Sequence, residues 1–240
     1  MNPREVILAA VRKNQPRPTA PLPELPQRPK SVGSLRPYFR RQLEVMGGRS
    51  FEVADAAAAR AKVAELFPDA NVVCSAVPEV PGTRRVETVS DPHELNDVDV
   101  GVVRSPLGVA EAGAVWLTQA ELVVNALGVL SQHLVVLLDP ATVVETMHEA
   151  YGRIDLGASP YGVFLAGPSA TGDIEGVIIH GAQGARSLTV FLMASSRGEI
   201  ERTVIPERST EETTIAPKPN QVELTTDNIT ITIEKHYARL

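Results

Sequence analysis

His133-Leu134-Val135-Val136-Leu137-Leu138 decides the architecture of this chain. Five of its six residues are aliphatic and none alternates with a polar neighbour. A short apolar run without alternation belongs to a strand buried on both faces, the condition of a parallel sheet covered by helices. Working outward, the same character returns at Val72-Val73, Asp99-Val100-Gly101-Val102-Val103, Ala114-Val115-Trp116-Leu117, Gly162-Val163-Phe164-Leu165-Ala166 and Leu188-Thr189-Val190-Phe191-Leu192. The intervening segments predict helices over 34–46, 54–67, 119–130, 141–152 and 171–180, bounded by Gly47-Gly48, Pro68 and similar breakers. Strands alternating with helices imply crossover connections, hence an α/β fold with a mainly parallel sheet flanked by helices. Gly101–Val103, Ala114–Leu117, His133–Leu138, Val163–Ala166 and Leu188–Leu192 are all assigned to that one sheet.

The flanks read differently. Residues 3–13 open with Pro3, carry Ile7, Leu8 and Val11 at helical spacing, and close on Arg12-Lys13, which suits the negative end of a helix. Seven prolines fall in the 22 residues from Pro16 to Pro37, which forbids continuous helix and favours an extended arm. At the other end, Ile229, Ile231 and Ile233 alternate with threonines at the strand period of two. The organisation expected is therefore an N-terminal helix and Pro-rich arm (1–31), an α/β domain (32–197) and a C-terminal extension with a β segment (198–240). Because a lone strand is unstable in water, the extension is expected to dock on the domain or on a second copy, giving a homodimer.

Composition removes several classes of function. The 240 residues are 43% hydrophobic and 22% charged, near the globular average, with a net charge of −6 and a pI near 5.5. An acidic chain lacks the electrostatic footprint for nucleic acid or an anionic membrane surface, so neither is an expected partner. No stretch approaches the roughly 20 apolar residues of a membrane span. Val6–Val11 is too short for a signal-peptide core and runs into Arg12-Lys13, so the cytoplasm is the expected compartment. One cysteine, Cys74, excludes an internal disulfide and a four-thiolate cluster. The five histidines show no metal-ligand spacing, and neither a dinucleotide-binding nor a Walker-type glycine motif is present, so no metal or cofactor is expected.

Three segments carry candidate chemistry. In Ala110-Glu111-Ala112-Gly113-Ala114, a carboxylate among small residues beside a strand is suited to act as acid, base or nucleophile, or to cap loop backbone. In Gly167-Pro168-Ser169-Ala170-Thr171-Gly172-Asp173-Ile174-Glu175, a strand end running into a helix start would set Ser169 or Thr171 at an N-cap, with Asp173 close by as a second carboxylate. In Gly181-Ala182-Gln183-Gly184-Ala185-Arg186, two glycines and a guanidinium fork suit a phosphate or carboxylate. Glu111 and Asp173 are the candidate catalytic residues. Gly113, Gly167, Ser169, Thr171, Gly181, Gln183, Gly184 and Arg186 are the candidate ligand-binding set, expected to share one cleft.

Together these segments resemble the LUD-domain family of lactate utilisation protein C, over about Val32 to Met193. The resemblance implies a fold similar to the sugar-phosphate isomerase, CoA-transferase and formyltetrahydrofolate cyclo-ligase group. It also implies a role in bacterial lactate or related organic-acid metabolism, a small anionic metabolite as ligand, and iron–sulfur partner proteins that carry the redox chemistry. This chain departs from the family pattern at Ala112 and Ala114, where threonines are usual, at Ala170, where arginine is common, and at Gln183, where the family has a histidine. An amide at 183 cannot transfer protons. A non-catalytic binding or scaffold subunit, and an isomerase, acyl-transfer or cyclo-ligase-like enzyme using Glu111, are the alternative readings.

Overall fold

The computed structural model describes residues 2–15, 34–174, 176–194, 221–226 and 229–234. The Pro-rich arm, the 198–220 stretch and the Asp227-Asn228 turn expected from the sequence lie outside the described residues. Two compact units divide the chain, Met1–Ser34 and Leu35–Leu240. In the first, helix α1 (Pro3–Asn14) begins where the Asn2 side chain accepts from the Arg4 amide at 3.1 Å, and it carries Glu5 in its first turn and Arg12 and Lys13 in its last. These are the charges that complement the helix dipole.

The second unit starts with α2 (Leu35–Val45), β1 (Arg49–Glu52) and α3 (Ala56–Leu66), the last capped by Asp55. Then come β2 (Val73–Ser75), β3 (Arg84–Arg85), β4 (Val100–Ser105), β5 (Leu107–Val109) and β6 (Ala114–Thr118). Two single-turn helices follow, α4 (Gln119–Leu122) and α5 (Leu127–Leu130), before β7 (His133–Leu138), β8 (Val143–Val144), α6 (Met147–Arg153) and β9 (Gly162–Leu165). A hairpin of β10 (Ala170–Ile174) and β11 (Val177–His180) precedes β12 (Ser187–Leu192). The chain ends with the antiparallel pair β13 (Gln221–Thr226) and β14 (Ile229–Glu234).

The α/β expectation holds, with a six-stranded sheet in the order β1-β12-β7-β4-β2-β3, parallel at every pairing. Its strands bury both faces. Leu134, Val136, Leu138, Leu188 and Val190 pack with Phe39 and Leu43 of α2 and with Val115 and Leu117 of β6. Val135, Leu137, Val102 and Phe191 face the other way, onto Ala59 and Val63 of α3. Each fully buried Val, Leu or Phe of this layer stabilises the fold by about 1.5–3 kcal/mol.

The single sheet expected for all five apolar runs is corrected here. Ala114–Leu117 and Val163–Leu165 belong to a second, four-stranded sheet in the order β8-β5-β6-β9, antiparallel except between β5 and β8. The turn at 110–113 is too short for a parallel crossover, so β6 folds back on β5 as a hairpin. The second sheet packs one face on the shared core and the other on α6, through Val109, Val144 and Ala150.

Three helices are also corrected, the one expected over 141–152 being confined to α6, with a 3-10 turn at Pro140–Thr142 and β8 in place of its first half. The helix expected over 119–130 breaks at Val123, whose φ of 60° and ψ of −54°, with the Val124 amide donating to the Leu122 carbonyl at 2.6 Å, describe a tight γ-turn. The helix expected over 171–180 is the β10–β11 hairpin, with Gly176 at φ 72° by its tip. The β-branched run Val177-Ile178-Ile179 favours strand over helix.

Candidate functional site

Glu111 sits in the β5–β6 turn, where its Oε1 accepts from the Met147 amide at 2.7 Å. Met147 opens α6, so the carboxylate meets the positive end of that helix, the capping arrangement weighed from the sequence. Gly113, at φ 58°, presses against the backbone of Gln42 and Leu43 in α2; a Cβ there has no room. Gly167, at φ 78°, does the same against the backbone of Met46, the residue after α2. Both glycines thus come close to the chain at or just past the end of α2, at points within about one turn of each other.

The other candidates assemble into a loop pair. Ser169 donates its amide to the Ala185 carbonyl at 2.9 Å and accepts from the Gly181 amide at 2.9 Å, which clamps the two loops together. Gly184 faces the Ser169 side chain, where an added Cβ would lie 3.1 Å from the Ser169 Cβ. Gly181, at φ 82°, lets the Arg186 side chain fold across it. The amides of Ala182, Gln183 and Gly184 donate to no described backbone carbonyl. They lie with the exposed Arg186 on the same short loop. Thr171 is not an N-cap, because it lies in β10 opposite Ile179. Of Asp173 the structure describes the backbone, also in β10. The strand-end argument for this loop is corrected too: it leaves β9 of the antiparallel sheet, not a strand of the parallel one.

Sequence reasoning did not single out two other clusters. At the N-terminal strand ends, His133 Nδ1 lies 2.8 Å from Ser187 Oγ, and its ring stacks on Phe67 at 4.8 Å. Burial, and then Arg186 and Arg49 nearby, push the His133 pKa down, with Asp99 opposing them. At the opposite strand ends, a cleft of about 170 Å³ is lined by Ala76, Val77, Arg104, Pro106, Ala120 and Glu121. Arg104 Nη2 donates to Glu79 Oε1 at 2.9 Å. Glu79 Oε2 is closed to solvent and has no hydrogen-bond partner among the described residues. The signal available for Arg104 was its position: one cation closing the apolar run Val100–Val103. Among the described residues no group of three or more His, Cys, Asp or Glu could hold a metal ion. Burial raises the Cys74 thiol pKa in spite of the Arg84 guanidinium.

The segment from just before β3 to the end of β12, which contains all three motifs, decides the relationship. Residues 81–193 match the LUD domain family. The LUD match therefore includes β4, β7 and β12 of the parallel sheet, and α1, α2, β1, α3 and β2 precede it. A DUF162 family protein from Deinococcus radiodurans, known from its crystal structure, is similar in fold, with a TM-score of 0.52 and 19% identity. The similarity covers 69% of this chain and 100% of that one. No curated protein matches the chain. No helix among the described residues is long and apolar enough to cross a membrane. The segment that matches the family carries the clamped loop pair at 167–186.

Proposed function

We propose that this LUD-domain chain binds a small anionic metabolite of lactate or related organic-acid metabolism, at the loops Gly167–Thr171 and Gly181–Arg186. The observation that carries the reading is the clamp through Ser169, which gathers a hydroxyl, the amides of 182–184 and the Arg186 guanidinium on one short stretch of surface. Such a grouping offers donors and positive charge without a carboxylate of its own loop. Glu111 stabilises α6 in this reading, and the chain acts as a binding subunit. Electron transfer falls to separate iron–sulfur proteins, in keeping with a sequence whose one cysteine, Cys74, is buried.

Calorimetric titration with L-lactate, pyruvate and inorganic phosphate tests the site. Wild-type protein is expected to bind at least one of the three, and Arg186→Gln to weaken that binding at least tenfold. Equal binding by the variant would remove the loop pair as the site.

A further inference from the structure

The C-terminal pair β13–β14 has no third strand among the described residues. Its register sets Val222 opposite Ile233, Leu224 opposite Ile231 and Thr226 opposite Ile229, while Gln221, Glu223 and Thr225 stand opposite Glu234, Thr232 and Thr230. Residues directly opposite in an antiparallel pair lie on the same face. One face of the hairpin therefore takes five aliphatic positions and Thr226, and the other takes polar positions alone. A two-stranded sheet divided in this way is marginal in water until its apolar face packs on something.

The same compact unit exposes an apolar surface of matching character. Val45, which ends α2, is 71% exposed, Met46 after it 49%, and Ile178 in β11 62%. Their neighbours join them into one surface. A Cβ on Gly47 would lie 3.4 Å from Pro168 Cδ and 3.8 Å from His180 Cε1, so the end of α2 runs directly into the end of β11. His180 and Ile178 stand two positions apart in that strand and share a face, whereas Val177 lies on the opposite one. Exposed apolar residues scattered singly are ordinary, but a contiguous group marks a surface that another element covers.

The route of the chain names that element. The surface lies at the N-terminal ends of β1 and β12, and the chain leaves β12 at its other end, Leu192, to return at Gln221. Twenty-eight residues lie between those two, with an extended reach of about 90 Å, against about 20 Å for the way back along β12. A connection that spans its sites makes the encounter intramolecular, at an effective concentration of about a millimolar. A second copy at micromolar concentration does not match that.

We propose that the hairpin β13–β14 docks by its apolar face, within its own chain, on the surface formed by Val45, Met46 and the Ile178 face of β11. The hairpin follows residue 193 and α2 precedes residue 81, so the contact joins the two parts of the chain that lie outside the LUD match. It adjoins the loops at 167–186 but does not rest on their binding an anion.

The experiment is amide hydrogen exchange on the full chain, read at residues 222–226 and 229–234. In the wild type these amides are expected to exchange at least about tenfold more slowly than in an unfolded chain. The double variant Val45→Asp with Ile178→Asp is expected to abolish that protection while α3 and β7 keep theirs, and Val177→Asp, on the opposite face of β11, to leave it unchanged. A cysteine pair keeps the test decisive if the double variant fails to fold. Because the native Cys74 is buried, Ile231→Cys combined with Ile178→Cys, or with Val45→Cys, is expected to close a disulfide within one chain under mild oxidation in at least one of the two combinations. Unprotected hairpin amides in the wild type, protection that survives the double variant, or an equal loss in Val177→Asp would overturn the proposal. So would disulfides in neither cysteine pair, or disulfides that link two chains, which would assign the surface to a second copy instead.

Discussion

The two sheets of this protein are built from sequences that look alike and behave differently. In the parallel sheet, β7 buries Leu134 through Leu138 almost completely, with α3 on one face and α2 with the second sheet on the other. In the mixed sheet, β9 at the edge leaves Val163, Phe164 and Leu165 partly open. An apolar run therefore says that a strand forms, and the length of its connections says which sheet it joins. The short turn at 110–113 forces β5 and β6 together as a hairpin, whereas β4 and β7 are separated by enough chain for a parallel return.

The comparison breaks most readily at the centre. Leu137→Ala opens a cavity in a layer closed on both sides and is expected to cost about 3–4 kcal/mol, while Val163→Ala at the mixed sheet's edge costs about 1 kcal/mol. Urea denaturation of the two variants checks the ratio; equal losses would mean the layers share their stability evenly. Next in size is Gly113→Ala, expected to cost about 2–3 kcal/mol because positive φ and the backbone of α2 both oppose the new methyl. Gly176→Ala, at positive φ but with open space around it, is expected to cost about 1 kcal/mol by the same measurement.

Smaller still is Glu111→Gln. Losing the charge at the start of α6 is expected to lower stability by about 1 kcal/mol while anion binding at the 167–186 loops stays within twofold, as calorimetry would show. A large loss of binding with intact stability would return Glu111 to a ligand role. The least effect concerns pH. His133 has its pKa held below the ordinary value of about 6.5 by burial first and by Arg186 and Arg49 second. The unfolded chain therefore takes up the proton before the folded one, so stability is full above about pH 6.5 and declines as pH falls from there toward the folded-state value. His133→Asn is expected to flatten that slope in melting curves taken between pH 5 and 7.

What could be read from the sequence follows the same division. The strands at 100–105, 133–138 and 187–192 were legible because burial on both faces writes an unbroken apolar run. Membership of the second sheet was not, since pairing between Ala114–Thr118 and Gly162–Leu165 is fixed by contacts far apart in the chain. The segment 171–180 was misread because a strand ending in Gly-Pro-Ser suggested a helix start; the β-branched residues 177–179 and Gly172 and Gly176 pointed the other way. In the candidate site, the glycines were legible as places of close approach, but the approaching group is α2 at Gly113 and Met46, just past α2, at Gly167. Arg104 and Glu79 were hidden because a single cation at a strand end and one acid in a loop carry no spacing to recognise.

The protein's one tryptophan, Trp116, lies in β6 with its ring 4.6 Å from that of Phe164 and over Gly162, so all three belong to the mixed sheet. Its intrinsic fluorescence is therefore a local gauge of that layer, whereas the far-ultraviolet circular dichroism is a gauge of the whole backbone. Recorded together through one denaturation, the two signals separate a molecule that melts as a unit from one whose outer layer peels away first.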